Sequence, residues 1–326
     1  MHPKRVALAP AIGLLLLLLA SAASGAVGWA NCTAQFPSTT FRPWGPAEAI
    51  PLCKEGHLAL FWDPATQNPQ WAAYHVTPED TDRTISGRLD FHEDADLLSL
   101  GVRQPAVGCD AFNVTWNRGH LAPNHVMSYS DSAKHSTFTM ANVAPQYYYW
   151  NQHAWMYFEM DVYDWIKGDL VTGAAAARDA KTGKLRRDER GHRVPAVGDQ
   201  HQSAHRPNNA SNSVATLRGR GDNSGAASPV GRRALFLLTG VAYTDRARPA
   251  FSYDDVAVPD YFWTVLCEPS SGNAVGVYGP NVPYSEGTET YRTVAEVERL
   301  FGGPLLPPSG PCDASRVDAD FWRFFE

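Results

Sequence analysis

The sequence predicts an α+β fold in which helices lie against a central, mainly antiparallel sheet. Apolar and aromatic runs of strand length, bounded by turn residues, alternate with two segments whose apolar side chains recur every three and four positions. No internal repeat competes with that reading. The first hairpin lies within residues 58–76, where Leu-Ala-Leu-Phe-Trp and Trp-Ala-Ala-Tyr-His-Val flank a polar turn punctuated by Pro64, Asn68 and Pro69. Residues 77–115 are polar and irregular, with acidic Asp90, Glu93, Asp94 and Asp96, and read as a long surface connection. A short strand at about 138–143 is expected to pair near residues 118–121. A helix is predicted from about Trp150 to Ile166, because Trp155, Phe158, Val162 and Trp165 share one stripe. Buried strands follow at 234–243, 261–266 and 273–278, and a short amphipathic helix at 293–301 carries Val294, Val297 and Leu300.

Between these two groups of elements, residues 172–233 lose the apolar pattern and carry twelve Lys or Arg against five acids. Removing that +7 from the chain's −6 leaves −13 on the remainder. The segment reads as a basic, low-complexity insertion in a single domain covering 26–326, either a solvated loop or one that helps hold phosphates. Ahead of the domain, His2, Lys4 and Arg5 precede an apolar run with six consecutive leucines, Leu14 to Leu19, and then small residues. This is the layout of a secretory signal peptide over residues 1–25, with cleavage after Ala22, Gly25 or Ala26, and it predicts a secreted, extracellular protein. A signal anchor is the competing reading, since the run approaches the ~18 residues of a spanning helix.

Export fits three N-x-Ser/Thr glycosylation triplets at Asn31, Asn113 and Asn209. It also fits the five cysteines, whose spacings match no zinc pattern and so point to disulfides. Sequence does not fix the pairing; Cys32 with Cys53 and Cys267 with Cys312 are the pairs expected, leaving Cys109 over. The hydrophobic share of 44%, with ten tryptophans, indicates a packed core.

Chemistry concentrates in two stretches. Residues 116–124 read Trp-Asn-Arg-Gly-His-Leu-Ala-Pro-Asn, and downstream come Asn142-Val-Ala-Pro-Gln146, Asn151, Trp155 and Glu159. On a straight helix Asn151, Trp155 and Glu159 share one face, which sends an amide and a carboxylate toward one point. Cleavage of a phosphodiester needs a base for water, neutralisation of growing negative charge and stabilisation of the departing oxygen. A histidine, largely neutral near pH 7, suits the first need. Singly, each residue has an ordinary explanation: Asn151 as a helix cap, Glu159 as an exposed carboxylate, and His125, His135 and His153 as surface or satisfied core histidines.

The segment 116–159 resembles the catalytic core of the DNA/RNA non-specific endonucleases, the ββα-metal nucleases marked by Asp-Arg-Gly-His. Later blocks resemble the family in the same order: Leu238-Thr-Gly-Val-Ala, Val256-Ala-Val-Pro-Asp-Tyr-Phe-Trp263, Val277-Tyr-Gly-Pro-Asn281 and the helix ending near Leu300, so the likeness runs from about Leu58 to Pro307. It implies His120 as general base, Asn151 as direct ligand of Mg²⁺ or Mn²⁺, and Glu159 orienting a metal-bound water or the ligand. It further implies Arg118 on phosphate, Asn142 and Gln146 as polar catalytic and substrate-binding supports, DNA and RNA as substrates, and 5′-phosphate ends. The chain departs from the pattern at Asn117, where the family's aspartate is lost, and at Tyr163, which replaces a basic residue of some members. Asn117 keeps open a second reading, a nucleic-acid-binding pseudo-nuclease with a weakened site. A zinc hydrolase built on His120, His125 and His135 is a third, which the spacing of five between the first two does not favour.

Overall fold

The structure, a computed structural model, describes residues 28–168, 232–247, 249–282 and 290–316. The leader, nearly all of the basic insertion and Asn209 lie outside them. Seven antiparallel strands form the main sheet in the order β1-β2-β3-β6-β9-β10-β11. They are β1 (Ile50–Lys54), β2 (Leu58–Asp63), β3 (Asn68–Val76), β6 (Leu235–Ala242), β9 (Tyr261–Glu268), β10 (Asn273–Pro280) and β11 (Thr290–Arg292). Strands β3 and β6, on either side of the insertion in sequence, are direct neighbours, with Trp71 opposite Gly240 and Val76 opposite Leu235.

Alternation along the strands gives the sheet two covered faces. Leu58, Leu60, Trp62, Tyr74, Leu237, Leu266, Val275 and Val277 point to the face that also receives Trp150, Trp155, Phe158 and Val162. Ala59, Trp71, Ala73, Leu238, Trp263 and Val265 point the other way, against Cys32, Phe36, Val294, Val297, Leu305 and Leu306. The helix over this second face, α5 (Val294–Phe301), starts on a Thr293 capping box with Glu296 and ends at Gly302 in the left-handed region. Both expected disulfides are present, Cys32–Cys53 and Cys267–Cys312, and Cys109 is free. Each ties a peripheral segment to a sheet strand, β1 in one case and β9 in the other.

On the first face, α3 (Tyr148–Trp150), a π-helical turn over Asn151–Trp155 and α4 (Met156–Lys167) run on without a break. Burial of Trp155, Phe158, Val162 and Trp165 contributes roughly 1.5–3 kcal/mol each, which outweighs the weak helix propensity of those residue types. Gly168, at φ 76°, ends α4 by returning its N–H to the Asp164 and Trp165 carbonyls. Two small hairpins stand apart from the main sheet: β4 (Trp116–His120) with β5 (Val143–Tyr147), and β7 (Phe251–Tyr253) with β8 (Val256–Val258). Smaller helices α1 (Ala95–Ser99) and α2 (Asp131–Thr137) and 3₁₀ turns at Ala30–Gln35, Pro78–Asp82 and Met140–Asn142 complete the described elements. Among the described residues no helix is long and apolar enough to cross a membrane.

Candidate active site

The chemistry-bearing residues of the first stretch sit on β4, and their partner strand is β5 at Val143–Tyr147, later than the 138–143 expected. Residues before it form the end of α2 and a 3₁₀ turn at Met140–Asn142, so the pairing sets His120 opposite Val143 and Asn117 opposite Gln146. The Gly in Arg-Gly-His has a steric cause in this hairpin. A Cβ on Gly119 would lie 2.4 Å from Gln146 Oε1, closer than van der Waals contact allows, so the cross-strand glutamine requires glycine there.

Three basic side chains gather around Phe91. The His120 ring lies 5.2 Å from it, the Arg118 guanidinium 5.4 Å and the Arg88 guanidinium 5.8 Å. Phe138 closes the other side of His120 at 5.4 Å. His120 is half-buried, but its Nε2 is sealed from solvent and has no hydrogen-bond partner. Desolvation, assisted by the positive charge of Arg88, lowers its pKa to about 4, so the imidazole is neutral at physiological pH. Arg118 also lies over Phe112 at 5.3 Å and donates through Nη2 to the Val107 carbonyl, while its buried Nε has no partner. Residues 77–115 are therefore more than a surface connection: Arg88, Phe91 and Val107 wall the site. The connection is pinned by Lys134, whose ammonium donates to the carbonyls of Ile85, Ser86 and Gly87, and by a bridge between His92 and Thr139. Asp94 adds a further anchor, accepting from Lys54 and from the Thr139 hydroxyl.

Asn142 differs from its expected catalytic part. It is fully buried, its Nδ2 donates to Ala122 and Thr137 carbonyls, and its Oδ1 accepts from the Ala122 N–H. Both amide hydrogens are taken, so Asn142 fixes the chain just beyond His120 and has no donor left for a substrate. Asn281 does the equivalent work at the far end of β5, accepting from the Tyr147 N–H and donating to the Pro145 and Pro259 carbonyls. Through it the hairpin is tied to the end of β10. Gln146 is as deeply buried as Asn142, yet neither its Nε2 nor its Oε1 has a partner.

Asn151 has helical dihedrals and is not a cap. The straight-helix expectation for Asn151, Trp155 and Glu159 also fails at its first step. The π turn is wound wider than an α turn, leaving Asn151 half-exposed while Trp155 is buried in the core. The Asn151 amide has no hydrogen-bond partner among the described residues. Glu159 faces a small cavity shared with Tyr74, Leu121, Trp155, Thr239 and Thr264, against the residue that follows His120. Desolvation raises its pKa to about 8; the nearby Trp155 indole, whose N–H lacks a partner in hydrogen-bonding geometry, opposes the shift. Tyr163 turns inward, donating to the Thr81 carbonyl and packing on His125 at 4.4 Å.

His135 and His153, read from the sequence as ordinary histidines, make local contacts. His135 stacks on His92 at 4.5 Å, and His153 bonds the Tyr149 carbonyl. No cluster of three or more His, Cys, Asp or Glu that could hold a metal occurs among the described residues, which does not suit the zinc reading. The donors present suit a hard cation instead: an open amide oxygen on Asn151 and, on the same helical run, the Glu159 carboxyl, which burial keeps protonated until a nearby cation favours its charged form.

The β4–β5 hairpin carries Arg-Gly-His, and the helical run that follows it carries Asn151 and Glu159. Residues 46–213 match the DNA/RNA non-specific endonucleases, and the chain belongs to that family. Among curated proteins, endonuclease G, mitochondrial, of Bos taurus is 33% identical over 108 residues, 32% of this chain and 34% of the relative. The Homo sapiens endonuclease G, mitochondrial, is 35% identical over 100 residues, 29% and 32% of the two chains. The mitochondrial nuclease of Saccharomyces cerevisiae is 28% identical over 111 residues, 34% and 33% of the two chains. The matched stretch thus spans about a third of the length of these relatives. A chain from the crystal structure of the EndoG/EndoGI complex aligns with 79% of this chain and 85% of its own, at 17% identity and a TM-score of 0.49.

Arg88, Phe91 and Asn281 escape a reading of the sequence for chemistry. Arg88 and Phe91 stand about thirty residues before His120 in a polar stretch without periodicity, where nothing local marks them. Asn281 lies in a block that resembles the family, but its role as a clamp shows only in its three hydrogen bonds.

Proposed function

We propose that this protein is a secreted, metal-dependent, sugar-non-specific endonuclease that hydrolyses phosphodiester bonds in DNA and RNA. The observation that carries the reading is the convergence of Arg88, Arg118 and His120 on Phe91, two fixed positive charges beside a neutral imidazole. That combination attracts a phosphate and leaves a base free to take a proton from water. Nε2 is sealed, so Nδ1 is the nitrogen that receives the proton. The water oxygen bonds to phosphorus and the P–O3′ bond breaks, leaving a 5′-phosphate. Arg118, held by Val107 between Phe91 and Phe112, spreads the charge growing on the phosphoryl oxygens, and Arg88 contributes at the rim. Asn151 would hold a divalent cation such as Mg²⁺ or Mn²⁺, with Glu159 orienting its waters. When bound, the cation supplies charge neutralisation at the departing oxygen. Gln146 keeps an unpaired donor and acceptor behind the hairpin and would act as a polar support, whereas Asn142 acts by position.

Export is supported by the basic and apolar leader and by the two disulfides, which persist in oxidising compartments. Asn31 and Asn113 are both exposed. Supercoiled plasmid and a structured RNA, each incubated with Mg²⁺ or Mn²⁺, test the activity. Both are degraded by the wild-type protein and spared by His120→Ala; a wild-type protein as inert as that variant at every metal concentration leaves the pseudo-nuclease.

A further inference from the structure

A run of aromatic rings leads away from the site along β5 and into the helix. Phe251 meets Trp116 at 6.2 Å, Trp116 meets Tyr147 at 6.2 Å, Tyr147 meets Tyr148 at 5.1 Å, and Tyr148 meets Tyr149 at 6.3 Å. Tyr149 then stacks on His153 at 4.2 Å with 21° between the planes, the spacing of four that sets side chains together on a helix. Trp116 and Tyr147 are buried and form the floor of this run, whereas Tyr148 is 39% and Tyr149 40% exposed. Neither tyrosine hydroxyl makes a hydrogen bond among the described residues. Two neighbouring rings that face solvent add little to the core, so the fold alone gives no reason for them.

Their position supplies one. Tyr148 and Tyr149 occupy the segment between Gln146 and Asn151, and the Cα atoms of Tyr149 and Asn151 lie within about 7 Å of each other. We propose that Tyr148 and Tyr149, backed by His153, form a stacking platform for unpaired bases of the strand being cut, giving single-stranded DNA and RNA an advantage over duplex. This rests on the nuclease reading and adds a substrate preference to it. Base stacking needs no net positive surface, which matters for a chain of net charge −6. It also tolerates any sequence, since every base has a π-face.

Anisotropy of labelled oligonucleotides in EDTA, at fixed ionic strength, separates binding from turnover. The probes are a single-stranded oligothymidylate, an abasic strand of equal length and a duplex of equal length. Tyr148→Ala/Tyr149→Ala is expected to weaken oligothymidylate binding about five- to hundredfold, to weaken the abasic strand and duplex far less, and to be largely reversed in Tyr148→Phe/Tyr149→Phe. Leu300→Ala, an exposed site on α5, serves as the neutral control. Equal loss on all three probes would mean a structural defect and overturn the platform, as would no loss on the oligothymidylate. Wild-type cleavage of plasmid and RNA is scored separately, so the platform can fail while the nuclease reading stands, and an inert wild type sinks that reading without altering the binding comparison.

Discussion

Asn142 and Gln146 stand four residues apart, both sealed from solvent, and they differ in one respect: every hydrogen-bonding atom of the Asn142 amide is used, and none of the Gln146 amide is. The same contrast separates whole regions. At the supports of the site, Asn281, Asp94 and Lys134 are saturated. Beside the Phe91 ring, His120 Nε2 and Arg118 Nε lack partners. A buried polar atom without a partner costs on the order of 1–3 kcal/mol, so the open groups are a burden that folding tolerates, while the closed ones hold them in place. Around this hairpin the saturated groups are scaffolding and the open ones carry no such duty; unpartnered buried atoms also occur away from the site, at Trp62, Gln70 and Asn273.

The largest expected effect lies on the open side. His120→Ala should lower kcat/KM on plasmid by roughly 10²–10⁴-fold, the range for loss of a general base, with little change in melting temperature. A large drop in melting temperature would show instead that the imidazole is scaffolding. Next comes the pair of amides. Asn142→Ala strands the Ala122 and Thr137 groups and should cost at least about 1–3 kcal/mol in urea denaturation. Gln146→Met removes two unpaired atoms at similar volume, so stability should hold or rise while cleavage declines. If the two variants lose stability equally, the contrast between them is wrong.

Protonation sharpens the contrast further. The acid limb of kcat/KM should fall near pH 4, below the ordinary histidine value of 6.5, because burial and Arg88 disfavour the imidazolium. Arg88→Ala should move that limb upward part of the way, since desolvation is the larger cause and remains. An acid limb already at 6.5 in the wild type would mean the ring is not sealed. In stability the two shifted groups oppose one another. Unfolded His120 takes up a proton below about pH 6.5 while the folded ring waits until about 4, so stability declines as pH falls between those values. The folded Glu159 carboxyl keeps its proton up to about 8 against an ordinary 4.5, so its contribution is full below 4.5 and is lost as pH rises to 8. Melting curves in EDTA should therefore show Glu159→Gln less sensitive to pH on the alkaline side. The smallest effect is expected at Asn117→Asp, a few-fold gain in cleavage from the restored negative charge; an unchanged rate would show that this position no longer influences the site.

Much of the frame was legible in the residues. Apolar runs of strand length marked β2, β3, β6, β9 and β10, since strands of a sheet covered on both faces carry apolar side chains toward both. The three- and four-residue stripe marked α4, and the Val294, Val297 and Leu300 stripe marked α5. Short elements left weaker traces. β1, β7, β8 and β11 are three to five residues long, too few to show a period. β5 was displaced because Val-Ala-Pro-Gln-Tyr, with Pro145 at its centre, carries no alternation.

Determined by sequence alone were the α+β class, the order of the longer strands along the chain, the residue types needed for phosphodiester chemistry and the likeness that set His120, Arg118, Asn151 and Glu159 apart. Tertiary structure decided which buried amide is closed and which is open, that Arg88 and Phe91 join His120 across about thirty residues, and that a π turn moves Asn151 off the Trp155 face. The reason is physical: local pattern encodes which face of an element is apolar. Burial without partners, charge on charge and ring on ring exist only once distant segments are packed together.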